Sequence, residues 1–269
     1  MKTIILVGGF AKRLQPLTLN TPKALLPING KPILDFIMEK LENVDDVNEV
    51  TIVGNSFFKQ QFEDYVNSRN FRFPVSVIND NGMDNNSKPG ALGGLKYALD
   101  KMGNINEDVF LLAGDNYFDF ELTNFVDYHK QKQTTVLLGG YFEDKAYLGK
   151  NFGVVELDEN HKVLGMEEKP AEPKSNIGLF AFYVFNPTIK EDLNQYFKEG
   201  NNPDALGYFI KYLSAKQDVY CAITKEKCFD IGTIDMYNHV CEYDKSKNES
   251  INEEANTPVL AMTMNAKKN

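Results

Sequence analysis

Charged side chains stand in this chain at places where a phosphate could be handled, above all Arg13, Lys23 and Asp115. Arg13 and Lys23 follow the pair Gly8-Gly9, which ends the apolar run Ile4-Ile5-Leu6-Val7. Such a run reads as a strand buried on both faces, and glycines at its end let peptide N–H groups approach a ligand that a Cβ would hold off. With two cations beside it, the turn suits a phosphate chain. Neither the P-loop spacing nor the G-x-G-x-x-G of a dinucleotide turn is met by Gly8-Gly9-Phe10-Ala11-Lys12-Arg13. Asp115 lies in Gly114-Asp115-Asn116, after the apolar run Val109–Ala113. A carboxylate at the carboxyl end of a parallel strand sits where open α/β sheets bind ligands, and Asp suits Mg²⁺ when phosphates complete the shell.

Read further, the opening string is GG-x-x-x-R-L-x-P-L-T followed by P-K-A-L-L-P, ending at Pro27. It resembles the signature of the sugar-1-phosphate nucleotidylyltransferases, a family that includes the glucose-1-phosphate thymidylyltransferases. Three more strings fall in the same order: G-D-N at 114–116, E-E-K-P at 167–170 and D-x-G-T at 230–233. The E-E-K-P string is preceded by F-G-V-V and followed by S-N-I-G. The resemblance covers residues from about 3 to 243.

That resemblance implies a nucleoside triphosphate and a sugar 1-phosphate as substrates, with nucleotide sugar and pyrophosphate as products. It places Gly8, Gly9, Gly90 and Gly93 at the nucleotide, and Gly153, Glu168 and Lys169 at the sugar phosphate. Arg13, Lys23 and Lys169 become the cations that carry the reaction, and Asp115 and Asp230 the ligands of Mg²⁺. dTTP or UTP with glucose 1-phosphate is the expected pair; cytidylyl or guanylyl transfer, or a nucleotide-sugar sensor without turnover, are the alternatives. Two departures from the family pattern stand out. Ala11 replaces a common Gly, and Gly93 stands near the place where similar thymidylyltransferases have a Gln that reads a pyrimidine.

To position these residues the chain needs alternating strands and helices. Helical spacing over Pro32–Leu41 and Phe58–Val66, and after Pro89, alternates with β-branched runs at Glu49–Gly54, Val75–Ile78, Val109–Ala113 and Thr134–Gly140. The expected fold is α/β: a Rossmann-like, mostly parallel sheet flanked by helices. Beyond it, a hairpin over Phe152–Met166 and a long strand within Ser175–Asn186 predict a small antiparallel sugar-binding subdomain. Helices are expected over Ile189–Phe197, Ala205–Lys216 and Ile234–Tyr243, with a strand over Val219–Ile223. The expected organisation is one transferase domain over 1–243, its nucleotide part about 1–140 and its sugar part about 141–243, then a loose polar tail over 244–269. Asn79–Lys88, rich in Asn and Asp, is expected to be a surface loop.

The formal net charge of -9 argues against a nucleic-acid or anionic-membrane partner. The apolar start is too short for a leader or a span, and Cys221, Cys228 and Cys241 suggest neither a disulfide framework nor a zinc site, so a cytoplasmic protein is expected. Homo-oligomerisation is left open. His129, His161 and His239 lie in polar surroundings and are expected to be solvated.

Overall fold

The computed structural model describes residues 1–82 and 89–256. Of the expected loop, 83–88 lies outside the described residues, as does 257–269 of the expected tail.

In chain order the strands begin with β1 (Lys2–Leu6), β2 (Pro27–Ile28), β3 (Lys31–Pro32), β4 (Glu49–Gly54), β5 (Val75–Asn79), β6 (Val109–Ala113) and β7 (Asn116–Phe118). They continue with β8 (Val136–Tyr141), β9 (Gly153–Leu157), β10 (Val163–Glu168), β11 (Ile177–Phe185), β12 (Tyr220–Thr224) and β13 (Cys228–Asp230). The helices are α1 (Ile33–Glu42), α2 (Lys59–Asn67), α3 (Gly90–Met102), α4 (Leu122–Lys132), α5 (Lys145–Asn151), α6 (Ile189–Lys198), α7 (Leu206–Ser214) and α8 (Ile234–Asn256).

Strands β6, β1, β4 and β5 pair in parallel, with Ile5 in register with both Leu112 and Ile52. Helical crossovers between successive strands impose that direction. Ile5 joins one apolar layer with Leu34 of α1, Phe62 of α2 and Phe125 of α4, while its neighbour Ile4 joins the other with Leu95 of α3, Leu193 of α6 and Phe209 of α7. Period-two alternation in β1 therefore sends successive side chains to opposite helical layers.

The sheet does not stop at β6. Phe182–Phe185 of β11 pairs antiparallel with β6, and the start of β11 pairs with β9 on the same edge, so the β9–β10 hairpin extends the parallel sheet. The antiparallel strands β9, β10 and β11 thus share one sheet with the parallel strands instead of forming a sheet of their own. On the other edge of β11 lies β8, which carries β12.

Off this sheet, β7 and β13 form a two-stranded ribbon that sets Asp230 opposite Asn116. Helix α8 packs on it through Val240, against Tyr117 and Ile231. The expected boundary at 243 falls inside α8: Asp244 is buried and accepts hydrogen bonds from Tyr117 (2.9 Å) and Asn29 (2.9 Å), and Lys247 pairs with Asp119. Polarity at these positions marks bonding to the ribbon, which a composition-based reading takes for solvation.

His129 also departs from expectation. Its ring is only 3% exposed, held between Thr134 O (2.8 Å) and Asp108 Oδ2 (3.0 Å). The register of α4 turns it inward with Phe125 and Val126, and two polar partners make that burial tolerable. His161 and His239 are exposed as expected. Among the described residues no helix is long and apolar enough to cross a membrane.

Candidate active site

Two chain segments bring the carboxylates together. At the end of β6, Gly114 donates its N–H to Leu6 O (2.9 Å), and a Cβ on Gly114 would lie 2.3 Å from Val7 Cγ1, so only glycine lets the chain turn so close to β1. Asp115 follows at once. The β7·β13 register and the bond from Ile231 N–H to Asp115 O (3.3 Å) deliver Asp230 beside it.

Between the two sits the ammonium of Lys23, 2.9 Å from Asp115 Oδ2 and 3.4 Å from Asp230 Oδ1. Lys23 is nearly buried, in a short 3₁₀ turn over Lys23–Leu25. The Asp230 carboxyl is pushed above its ordinary range, first by loss of hydration and then by the Asp115 charge, while Lys23 and Arg13 pull it back. One ammonium facing two carboxylates leaves a negative charge that a divalent cation could answer.

Asp115 borders three adjoining clefts. One, of about 420 Å³, is walled by Gly9, Ala11, Arg13, Lys23, Asp230 and Gly232. Arg13 lies so close that a Cβ on Gly232 would be 3.0 Å from its Nη2. Ala11 adopts the left-handed conformation (φ 44°, ψ 47°), which glycine would take with less strain, and its carbonyl accepts a hydrogen bond from Thr18 Oγ1 at 2.9 Å.

The second cleft, of about 330 Å³, is walled by Gly8, Gly9, Asp80, Gly90 and Ala91. Gly90 has φ +75° and meets Pro203 O so closely that a Cβ would lie at 2.9 Å. Gly93 is not among the residues walling any of the three clefts; a Cβ on it would meet Pro89 Cβ at 2.7 Å. One turn of α3 exposes Gly90, Ala91 and Gly94 to the cleft and sends Gly93 elsewhere.

The third cleft, of about 420 Å³, joins Gly153, Glu168, Lys169, Asp204 and Gly207. Burial raises the pKa of Glu168, Asp204 adds to the rise, and Lys169 opposes it. Lys169 is exposed and left-handed (φ 46°) just after β10.

The expected residues other than Gly93 thus converge on one continuous depression along the carboxyl ends of β1 and β6. Among the wall residues that were not expected are Asp80, Asp204 and Gly207. Asp80 carried the same signal as Asp115, a carboxylate just past a parallel strand, but the polar stretch after it hid the strand end. Gly207 and Asp204 carry no local signal, because only tertiary packing brings the start of α7 to β10.

Asp115 and Asp230 could supply two oxygen ligands. Among the described residues no group of three or more His, Cys, Asp or Glu side chains could hold a metal by itself. Two carboxylates with open positions fit a hard ion such as Mg²⁺, whose shell water and phosphate oxygens complete.

This fold and site define a nucleotide-handling α/β transferase, and the chain belongs to the nucleotidyl transferase family, whose model matches residues 2–247. It is 31% identical over 192 residues to a glucose-1-phosphate thymidylyltransferase of Streptomyces griseus, covering 71% of this chain and 51% of that one. It is 32% identical over 191 residues to the mannose-1-phosphate guanylyltransferase catalytic subunit beta of Drosophila melanogaster, covering 70% and 49%. The chain spans about half the length of such curated relatives. In fold it is similar to a UDP-glucose pyrophosphorylase solved with UDP-glucose, with a TM-score of 0.77 at 20% identity over 91% of this chain and 98% of that one.

Proposed function

We propose that this chain transfers a nucleotidyl group from a nucleoside triphosphate to a sugar 1-phosphate, releasing pyrophosphate. The observation that carries this reading is Asp115 at the meeting of three clefts, with Lys23 and Asp230 beside it and Lys169 at the far end. A sugar phosphate oxygen attacks the α-phosphorus, its bond to that phosphorus forms as the bond to pyrophosphate breaks, and repulsion between the two anions is the main obstacle. A phosphate oxygen is already ionised at neutral pH, so the site needs cations and alignment instead of a general base.

In this reading Arg13 takes the leaving pyrophosphate, Lys23 turns from the carboxylates to the α-phosphate, and Lys169 holds the sugar phosphate. Glu168 accepts hydrogen bonds from sugar hydroxyls, and Gly153 lets the ring come close. Gly8 and Gly9 offer backbone N–H groups to the nucleotide. Asp115 and Asp230 would hold Mg²⁺, which when bound supplies charge neutralisation to both phosphates.

Glucose 1-phosphate is the acceptor favoured by the sequence resemblance and by the thymidylyltransferase relative. The expected donor, dTTP or UTP, rested on backbone groups of Gly90 to Gly94, or the Asn79–Lys88 loop, reading the base in the absence of a side chain at Gly93. Gly90, Ala91 and Gly94 wall the second cleft and Gly93 does not. The relatives named above differ in base, so membership in the family leaves the donor open.

The test is pyrophosphate release measured over a grid of nucleoside triphosphates and sugar 1-phosphates. Release above background with at least one pair, lost in Asp115→Asn, is expected. Tight binding of a nucleotide sugar with no release from any pair would replace the enzyme by a sensor.

A further inference from the structure

Asp80 faces the second cleft, and among the described residues its charge has no ion-pair partner. Its N–H donates to Gly54 O at 2.8 Å, which fixes the residue at the end of β5, and its Oδ1 accepts the N–H of Gly82 at 2.8 Å. Oδ2 has no hydrogen-bond or ion-pair partner among the described residues and lies 2.6 Å from where a Cβ on Gly8 would be. Gly8 is therefore the residue that lets this carboxylate lie across the start of the glycine turn. Among the described residues, Asp80, Asp115 and Asp204 are the polar side chains of the cleft, and all are carboxylates. The remainder of the wall, among the described residues, is glycine, alanine and aliphatic residues such as Leu6 and Val53. Burial pushes the Asp80 carboxyl above the ordinary carboxylate range, as expected of an acceptor short of donors.

Resting on the nucleotide-transfer reading above, we propose that Asp80 reads the nucleobase and selects one with an amino group on its pairing edge, guanine before cytosine or adenine. An ionised carboxylate only accepts hydrogen bonds. Guanine offers two adjacent donors, N1–H and the 2-amino group, so both can point at one carboxylate. Cytosine and adenine offer one amino group each. Uracil and thymine offer a single N3–H flanked by two carbonyl oxygens, whose lone pairs a carboxylate repels. Asp115 is at the phosphate junction and Asp204 borders the sugar cleft as well, which leaves Asp80 to face the base.

The experiment is calorimetric titration of the protein with GTP, CTP, ATP, UTP and dTTP in the presence of Mg²⁺, without acceptor, for the wild type and for Asp80→Asn. GTP is expected to bind at least tenfold more tightly than UTP or dTTP, and Asp80→Asn to reduce that ratio at least tenfold, since a carboxamide can pair with an imide edge. CTP or ATP ahead of both imide nucleotides, with the same dependence on Asp80, would support the amino-group rule and name the base. UTP or dTTP tightest in the wild type would overturn the proposal whether or not the variant folds, as would an unchanged ranking in a folded Asp80→Asn or Asp80→Ser. Failure of every nucleotide to bind would overturn the transfer reading itself, and this proposal with it.

Discussion

Lys23 Nζ lies 2.9 Å from Asp115 Oδ2 while the same nitrogen reaches Asp230 Oδ1 at 3.4 Å, so one nearly buried ammonium spans two carboxylates delivered by different strands. The arrangement preorganises the dyad, because each carboxylate would otherwise repel the other in a partly dehydrated cleft. In the proposed reaction, a cation arriving between the carboxylates would release the ammonium toward a phosphate.

Asp115→Asn is the direct test of that relationship. The amide keeps the shape but is a poor ligand for a hard ion, and turnover is expected to fall by about two orders of magnitude or more. The fold should persist, since Lys23 retains Asp230 as a partner. Wild-type turnover at saturating Mg²⁺ would remove Asp115 from the site.

Lys169→Ala separates the two substrates. Lys169 borders the third cleft and neither of the other two, so its loss should raise the apparent KM for the sugar phosphate about tenfold and leave that for the nucleotide within about twofold. Equal shifts in both constants would contradict a role confined to the sugar side.

Much of the frame was legible because its causes are local. The run Ile4–Val7 and the apolar Val109–Ala113 are short, wholly apolar and followed by glycine, which is what a doubly buried parallel strand ending in a turn looks like. The site was legible where a residue sits directly beyond such a strand, as Asp115 does. What the sequence concealed is what packing decides. Gly93 and Gly94 look alike in a string, yet the helix gives them different directions. Residues after Tyr243 look like a tail until the β7·β13 ribbon supplies Tyr117 and Asp119 as partners for Asp244 and Lys247.

Gly207 is where α7 comes close to the sugar side. A Cβ there would lie 2.2 Å from both Glu168 Oε2 and Met166 Cε. Gly207→Ala should therefore displace Glu168, raise the sugar phosphate KM about tenfold, and cost about 1–3 kcal/mol of stability as overpacking. Unaltered kinetics in a folded variant would show that Glu168 does not need its observed position.

Asp244→Ala tests the latch between α8 and the ribbon. It leaves the buried Tyr117 hydroxyl without its acceptor and takes from the Asn29 amide one of two, Cys241 O remaining, which should cost about 1–3 kcal/mol. For a chain of this size that corresponds to a fall in Tm of roughly 2–8 °C. A Tm within about 1 °C of wild type would mean that α8 contributes little to holding the ribbon.

Glu168 offers a prediction in which stability and function move in opposite directions. Its carboxyl lies under Gly207 and beside Gly153, and burial raises its pKa above the ordinary value of 4.5, with Asp204 adding and Lys169 opposing. For an acid with a raised folded-state pKa, the folded chain holds the proton to higher pH than the unfolded chain does. Stability therefore falls as pH rises through the interval between the two values, and the cost is fully present above the folded pKa and absent below the unfolded one. Glu168→Gln removes the ionisation and keeps the shape. Its Tm should exceed that of wild type at pH 7 to 8, and the difference should shrink toward zero as the pH drops below about 4.5. The same variant should bind sugar phosphate less well, with KM raised about tenfold, because a neutral amide accepts hydrogen bonds from hydroxyls more weakly than a carboxylate. Thermal unfolding of both proteins from pH 4 to 8, together with KM for each substrate at pH 7.5, decides the matter. A variant less stable than wild type at pH 7, or a Tm difference that does not change with pH, would show that the buried charge is not the source of the effect.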